Sequence, residues 1–230
     1  MEGAVLQVLP LALLGAVLGL DVVSFPQAMV SRPIVAATLA GGFVGEPWRG
    51  LALGVALEFF ALASLPFGAT RYPEWGSASV VGAALFVGVP DGTAGAMAVA
   101  VLAALVIAGV GGWSMHVLRR VNAALATRQQ ARIARGSGSA VVALQLTGLT
   151  VDAVRAGLLT GAALLLSRPA YAAVLATLTV SGVVSRAVVV GTASAVGLAA
   201  LWNLVRTTPG ARWYLVAGLV GGFALAGGLA

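Results

Sequence analysis

Apolar stretches separated by short polar or proline-containing connections run along the whole of this sequence. The first stretch, residues 4–20, is followed by a polar segment, residues 21–33, that contains two prolines. Prolines and clustered polar groups interrupt a spanning helix, and non-helical backbone at membrane depth is tolerated only where it lines a cavity or is buried in protein. The pattern therefore predicts a broken or re-entrant element directly after the first helix.

The next three apolar stretches are short. Their predicted bounds are residues 34–44, 51–65 and 77–89. A spanning helix needs about 20 predominantly apolar residues, so the first and the third are not expected to cross a membrane alone. Turns are predicted at residues 45–50 and 90–92, and a polar, proline-rich connection at residues 66–75.

A long helix is predicted from about residue 93 to 118, and an arginine-rich loop, residues 119–139, follows it. Four further apolar stretches complete the chain. Their bounds are residues 140–166, 170–184, 187–205 and 213–229. Because arginine accumulates in cytoplasmic loops, we assign the arginine-rich loop to the cytoplasm. Alternation of sides from that loop then places Arg206 and Arg212 outside, a conflict that one re-entrant stretch would resolve.

The tripeptide Ser-Arg-Pro occurs twice, at residues 31–33 and 167–169, and a run of small apolar residues follows each copy. Secondary transporters often contain internal repeats with interrupted segments at corresponding positions. An internal repeat is therefore a hypothesis for this chain.

Composition places the chain in the membrane. Of its 230 residues 60% are hydrophobic and only 9% are charged, and the mean hydropathy is +1.03. These values predict an all-α integral membrane protein, a polytopic helical bundle with short, broken or re-entrant helices. Residues 1–230 are expected to form a single transmembrane domain. The N-terminal stretch lacks a basic leading region and is interpreted as a retained membrane segment, not as a signal peptide.

Charge and residue usage exclude several function classes. The net charge is +6, and all 13 basic residues are arginine, but no basic face interleaved with aromatic residues is visible, so nucleic-acid binding is not predicted. The absence of cysteine and lysine excludes disulfides, thiolate metal sites and a Walker lysine. A single histidine, His116, cannot hold a metal alone. We therefore expect no catalytic residue, no metal site and no cofactor in this chain.

Ionisable groups inside apolar stretches require an explanation, because a charge at membrane depth is costly and usually faces a cavity, a partner or a substrate. Glu58 lies in the middle of an apolar stretch, and Arg32 is its candidate partner. Our hypothesis is that Glu58 accepts hydrogen bonds from substrate hydroxyls, and the alternative is a buried Arg–Glu pair that fixes packing. Asp152 and Arg155, three residues apart, are expected to form a local ion pair.

The polar segment after the first helix has the chemistry of a carbohydrate site. Gln27 and Ser31 can both donate and accept hydrogen bonds, which suits a polyhydroxylated ligand. An aromatic platform usually completes such a site. The candidates are Trp48, Phe59, Phe60 and Trp75. Asp21 and Glu74 lie near predicted membrane boundaries, where each is either part of the site or an ordinary loop charge.

The order of these residues resembles the membrane-spanning IIC subunit of the mannose/fructose/sorbose family of the bacterial phosphoenolpyruvate-dependent sugar phosphotransferase system. The matching positions are Leu20-Asp21, Gln27, Ser31-Arg32-Pro33, Gly45-Glu46, Gly54, Leu57-Glu58, Ala61-Leu62, Pro73-Glu74 and Ala78-Ser79. Arg119 and Arg155 also fall where the family has arginine. The chain has Glu46 and Glu74 where the family pattern has aspartate.

The resemblance implies a multi-pass protein of the bacterial inner (cytoplasmic) membrane that recognises and translocates a hexose-like sugar. The implied partners, besides membrane lipid, are a IID-type membrane subunit and a IIB-type cytoplasmic phosphocarrier that a IIA protein charges. The IIC–IID pairs would form a homo-oligomer, and the partner, not this chain, would phosphorylate the sugar. The implied substrate-binding residues are Asp21, Gln27, Ser31, Arg32, Glu58 and Glu74. By analogy, a sugar-holding core would move against a scaffold.

Two alternatives remain open at this point. Family members usually continue past the segment equivalent to residues 213–229, whereas this sequence stops at Ala230, which motivates a non-transporting scaffold or sensor that retains the fold. The other alternative is an unrelated proton-coupled transporter in which Glu58 titrates.

Overall fold

In a computed structural model, residues 2–64 and 72–228 are described, and this part of the chain consists of helices and connections without a strand. Side chains are described for residues 8–64, 72–203, 205–222 and 224–225. The helices are α1 (Glu2–Asp21), α2 (Pro33–Val44), α3 (Pro47–Leu62), α4 (Trp75–Val87), α5 (Ala96–Ala134), α6 (Gly138–Thr177), α7 (Gly182–Val205) and α8 (Ala211–Gly228). Within the described residues, α5, α6 and α7 are long and apolar enough to cross a membrane. The predicted class, a helical membrane bundle with short helices, is confirmed.

The short helix α4 forms the centre of the bundle. Every residue from Gly76 to Val87 is buried, because α1, α2, α3, α5 and α6 all pack around it. Its glycine, alanine and serine residues allow this close approach, since small side chains let helix backbones come together in a membrane. With 13 residues α4 is only about 20 Å long, which is less than the thickness of a bilayer core. The surrounding helices enclose it.

Helices α2 and α3 form a hairpin that packs against α4. They contain 12 and 16 residues, which correspond to about 18 and 24 Å, less than the roughly 30 Å of a bilayer core. Gly45 ends α2 in the left-handed conformation at φ 93°, and Pro47 begins α3 two residues later. The turn is thus shorter than the predicted residues 45–50, because a proline at the first position favours helix initiation.

Arg49 joins the start of α3 to the end of α4. Its guanidinium donates to the carbonyl oxygens of Phe86 and Val89, both at 2.8 Å, and lies 4.8 Å from the centroid of the Phe86 ring. The last carbonyls of a helix have no intrahelical partner, and a cation there also interacts favourably with the helix dipole. One arginine therefore completes the C-terminus of the most buried helix.

The arginine-rich segment, residues 119–139, is helical, so the predicted loop is wrong. Helix α5 continues to Ala134, α6 begins at Gly138, and only residues 135–137 connect them. Each of these helices is about 60 Å long, roughly twice the bilayer core, so this end of the pair extends beyond the core of the bundle. The stretch from 119 to 134 favours helix because alanine, arginine and glutamine dominate it. Its cytoplasmic side stays a prediction.

The predicted break at residues 167–169 is also wrong, because α6 runs without interruption through Pro169. A proline removes one backbone hydrogen bond, which membrane helices tolerate through local readjustment. Three helices, α6, α7 and α8, therefore replace the four predicted apolar stretches. Helix α7 runs back toward the arginine-rich end, because Gly182 at its start lies beside Gly92 and Gly197 in its second half lies beside Phe59. Its last residues therefore lie toward the same end as the arginine-rich segment, and the conflict with the positive-inside rule disappears.

The two Ser-Arg-Pro tripeptides have different structures. The first precedes and begins α2, while the second lies inside α6. The tripeptide match therefore does not mark corresponding elements of a structural repeat. The predicted connection at residues 66–75 lies mostly outside the described residues.

Substitution of Gly50 by alanine should separate α2 from α3. A Cβ on Gly50 would collide with the carbonyl oxygen of Ala37 and lie 3.0 Å from the Cα of Gly41. Both obstacles are backbone atoms, so the hairpin must open, and we expect a loss of about 1–3 kcal/mol, the usual range for overpacking. Thermal unfolding of the detergent-purified protein measures it.

Gly42→Ala is the matched control, because Gly42 is helical and a Cβ there meets nothing within 4 Å. This variant should be neutral or slightly stabilising. Equal midpoints for the two variants would contradict the packing described for the hairpin.

Candidate ligand-binding cavity

The polar segment between α1 and α2 is an irregular loop, residues 22–32, whose first turn continues from α1. Gln27 and Met29 have φ angles of 60° and 62°, a region that residues other than glycine rarely adopt. The predicted broken element after the first helix is therefore confirmed. Such a conformation persists only where the surroundings fix it.

Asp21, the last residue of α1, fixes this loop. One of its carboxylate oxygens accepts a hydrogen bond from the amide of Ala28 at 2.6 Å, and the other accepts one from the amide of Ser31 at 2.8 Å. The side chain is only 2% exposed. Hydrogen bonds to a charged acceptor are among the stronger ones in proteins, so Asp21 replaces the helical partners that these amides lack.

Asp152 of α6 provides a second anchor. Ser24 of the loop donates to Asp152 at 2.6 Å, and Arg155 forms an ion pair with the same carboxylate at 2.9 Å. Arg155 also donates to the hydroxyl of Ser114 on α5 at 2.9 Å. The predicted local ion pair is thus confirmed, and it is also part of a network that links the loop to both long helices.

Arg32 and Glu58 form the ion pair that the sequence analysis gave as the alternative to a substrate contact by Glu58. The Arg32 Nε donates to Glu58 at 2.7 Å, the second guanidinium nitrogen contacts the same oxygen, and the other carboxylate oxygen accepts from the amide of Ile34 at 3.2 Å. The two side chains are 28% and 21% exposed. Glu58 therefore ties α3 to the start of α2 and orients the guanidinium.

A cavity of about 260 Å³ opens beside the loop. Its described lining comes from both ends of the loop, from the end of α3 and from the start of α4. The lining residues are Asp21, Val22, Gln27, Met29, Ser31, Arg32, Pro33, Ala61, Ser64, Tyr72, Pro73 and Trp75. Four of the six predicted site residues, Asp21, Gln27, Ser31 and Arg32, therefore meet at one cavity.

The other two predicted site residues lie outside the lining. Glu58 stands behind Arg32, and Glu74 is completely buried at the start of α4, where its carboxylate accepts from the amide of Ser77 at 3.1 Å. The amide of Glu74 donates to the carbonyl of Ala108 at 2.9 Å. Glu74 is thus an N-cap that also fixes α4 against α5. Within the described residues, no group of three His, Cys, Asp or Glu side chains is placed to hold a metal.

Of the four aromatic candidates, Trp75 lines the cavity and the other three do not. Trp48 is 78% exposed on the opposite end of α3, and Phe59 packs against Gly197 of α7. The indole N–H of Trp75 is shielded from solvent, yet it has no hydrogen-bond acceptor among the residues that the structure describes. A buried donor without a partner costs free energy, so a ligand acceptor that reached this N–H after a small shift of the ring would be favourable.

Tyr72 is a lining residue that the sequence analysis missed. Its hydroxyl accepts a hydrogen bond from Arg119 of α5 at 2.7 Å, and the same guanidinium stacks on its ring with 5.0 Å to the centroid. An aromatic residue in a polar connection usually indicates an interfacial anchor. Its partner is 47 positions away, so nothing local in the sequence distinguishes it.

Comparison with known proteins identifies the family. Residues 5–228 match the family described as the sorbose-specific IIC component of the sugar phosphotransferase system, and the chain belongs to this family. It is 35% identical over 104 residues to the fructose permease IIC component of Bacillus subtilis, and 27% identical over 151 residues to the sorbose-specific EIIC component of Lacticaseibacillus casei. These alignments cover 45% and 65% of the chain, but only 38% and 52% of the relatives' length.

Two solved structures share the fold. One is described only as a membrane protein, with a TM-score of 0.75 and 21% identity over 97% of this chain and 91% of its own. The other is the mannose transporter ManYZ in complex with microcin E492, with a TM-score of 0.61 and 18% identity over 99% and 87% of the two chains. At these identities the likeness shows the fold alone.

The Arg32–Glu58 pair should show strong coupling. Either Arg32→Gln or Glu58→Gln leaves one partly buried charge without its partner, and we expect each to reduce unfolding free energy by about 2 kcal/mol. The double variant removes both charges and should lose clearly less than the sum. A double-mutant cycle on the purified protein measures this coupling.

The exposed pair Arg186–Asp91, 3.7 Å apart, is the matched control. Neutralising it should change stability little, because exposed ion pairs contribute about 0–1 kcal/mol. Additive losses at Arg32 and Glu58 would show that the two side chains do not act as a pair.

Proposed function

We propose that this chain is the sugar-recognition and translocation subunit of a phosphoenolpyruvate-dependent phosphotransferase permease in the bacterial inner membrane. Family membership supports the phosphotransferase class. The observation that carries the proposal is the cavity at the irregular loop, because four residues singled out from the sequence line it. A fixed irregular backbone inside a bundle is typical of substrate sites in transporters.

The cavity chemistry favours a small polyhydroxylated ligand. Arg32 supplies donors, Gln27 and Ser31 supply both donors and acceptors, and Trp75 supplies an aromatic face with an unpartnered N–H. The volume lies just below the roughly 300 Å³ at which sites for drug-sized ligands begin, which suits a single hexose-like sugar.

The predicted site residues divide into two proposed roles. Gln27, Ser31 and Arg32 would contact the sugar directly. Asp21 and Glu58 would position the contacting groups, because their carboxylates already accept hydrogen bonds from the loop and from Arg32. Glu74 would act one step further away, by fixing the helix that begins with Trp75.

Phosphorylation of the sugar would be the work of a partner. We propose a IIB-type phosphocarrier, charged by a IIA protein, as the phosphoryl donor, and a IID-type subunit as the membrane partner in an oligomer of IIC–IID pairs. The cavity lies near the start of the arginine-rich segment, since its lining residue Tyr72 contacts Arg119. If that segment is cytoplasmic, the cavity lies on the side from which a soluble phosphocarrier approaches.

Replacement of Trp75 by phenylalanine should weaken sugar binding while the bundle stays intact. An aromatic ring is retained, but the indole N–H and part of the aromatic surface are lost, so we expect the apparent affinity for the transported sugar to fall about tenfold. Sugar binding or uptake by membranes that contain the subunit complex measures it.

Trp48→Phe provides the matched control, because Trp48 is exposed far from the cavity and should have no effect. An unchanged affinity in Trp75→Phe would remove Trp75 from the proposed site.

The whole proposal is tested by membranes that contain this chain, a IID-type subunit and the soluble phosphocarriers, supplied with labelled mannose, fructose or sorbose. We expect one of these sugars to appear as its phosphate, and only with phosphoenolpyruvate present. Uptake without phosphoenolpyruvate but dependent on a pH gradient would instead support the proton-coupled alternative. The proposal would be overturned if none of the three sugars was taken up and none appeared as its phosphate.

A further inference from the structure

A second and larger cavity, of about 590 Å³, lies at the opposite end of the bundle. It is a groove between the first half of α1, the ends of α2 and α4, and the second half of α6. Most of its lining is apolar and includes Leu11, Phe43, Val44 and Leu85. The proposed sugar site shares no lining residue with this groove, so a role for the groove is independent of sugar binding.

A cation lines this groove. Arg168 is partly buried on α6, and among the described residues its guanidinium has no hydrogen bond, ion pair or ring contact. The contrast with Arg32 is informative, because both arginines stand in a Ser-Arg-Pro tripeptide and both line a cavity, yet Arg32 is paired with Glu58. A partly buried charge is costly unless it is paired. Arg168 therefore lacks the anionic partner that would stabilise its partly buried charge.

No carboxylate of the described residues fills this role. Glu46, next to the end of α2, forms no ion pair with Arg168, and Asp91 is paired with Arg186. The other polar side chain in the lining, Tyr171, donates its hydroxyl to the carbonyl of Ala96 at 3.0 Å. The missing anion must therefore come from outside the part of the chain that the structure describes.

The surroundings indicate what kind of molecule carries this anion. Phe43 and Val44 line the groove and are also 60% and 44% exposed on the bundle surface, so the groove is continuous with apolar surface. Leu165 and Leu166, which precede Arg168, are exposed as well. In a membrane bundle such surface faces hydrocarbon. A ligand that fits this site therefore combines an anionic group with an apolar chain.

The depth of Arg168 fits a lipid headgroup. It lies one turn before Tyr171, whose hydroxyl reaches Ala96, the first residue of α5. The end of α2 lies at the same level, since Val44 lines the groove together with Arg168. A headgroup at this boundary would place its acyl chains alongside the exposed apolar residues, in the direction of the bilayer core.

We propose that this groove binds an anionic phospholipid, with the phosphate paired to Arg168 and an acyl chain along the apolar lining. An arginine beside an apolar groove matches the two parts of such a lipid, since the guanidinium pairs with the phosphate and the apolar lining contacts the acyl chain. The lipid would fill the space between α1 and α6 on one side and α2 and α4 on the other. It would therefore stabilise the contact between the hairpin α2–α3 and the long helices.

The test uses the full chain purified in mild detergent with its membrane partners, and native mass spectrometry with added phosphatidylglycerol or phosphatidylcholine of identical acyl chains. We expect the protein to retain phosphatidylglycerol and to discriminate against phosphatidylcholine. Arg168→Gln should lower phosphatidylglycerol retention about fivefold, the usual effect of one basic residue on anionic lipid, and Arg168→Lys should retain most of it.

Arg206→Gln is the matched control, since it removes the same charge from an exposed site outside the groove. It should leave lipid retention unchanged. Ala172→Trp keeps Arg168 but fills the groove, and it should lower retention even if Arg168→Gln proves too unstable to purify.

Three results would overturn the proposal. One is equal retention of phosphatidylglycerol by the Arg168→Gln and Arg206→Gln proteins. Another is equal retention of the two lipids by the unmodified protein. The third is displacement of phosphatidylglycerol by millimolar inorganic phosphate, which would mean that a free anion, not a lipid, occupies the groove.

Discussion

The irregular loop at residues 22–32 imposes the constraint on which the rest of the structure depends. Its backbone leaves helical geometry at the end of α1, where residues 23 and 25–29 are exposed, and its amides lack the partners that a helix would provide. Two carboxylates provide hydrogen-bond acceptors for the loop. Asp21 accepts from two loop amides, and Asp152 accepts from the hydroxyl of Ser24. Both carboxylates are almost fully buried, and Asp152 has Arg155 as its counter-ion. These buried carboxylates therefore fix the conformation of the loop backbone.

The same principle explains where the remaining charges lie. Arg49 completes the end of α4, and Glu74 caps its start, so the two ends of the most buried helix are both satisfied by side chains. Arg119 holds Tyr72 at the cavity. Each of these groups fixes a segment that borders the cavity or supports it, while lipid-facing surfaces are left to apolar residues.

Sequence reasoning predicted the local features of this fold and missed the ones that depend on distant contacts. The broken element after α1 and the short helices α2 and α4 follow from proline, polarity and length alone. The Arg32–Glu58 pair could also be predicted, because a charge in an apolar stretch demands a partner and few were available. The arginine-rich helix at residues 119–134 differs from the predicted loop, because its strong helix propensity outweighs its polarity.

The cavity itself was only partly predictable, for a related reason. Gln27, Ser31 and Arg32 belong to one short segment, so their proximity is visible in the sequence. Tyr72 and Trp75 reach the cavity only because Glu74 is fixed against Ala108 of α5 and Tyr72 against Arg119. Pro169 shows the opposite error, in which a residue that breaks soluble helices was given too much weight inside a membrane helix. In both cases contacts between residues far apart in the sequence, and not the local sequence pattern, determine the structure.

The guanidinium of Arg49 has a mechanical consequence. It connects the first turn of α3 to the last carbonyls of α4, and Gly45 and Glu46 connect α3 to α2 through a two-residue turn. The three short helices are therefore braced at one end by a single side chain and at the other by the cavity residues. The end of α4 must therefore follow any displacement of the hairpin α2–α3.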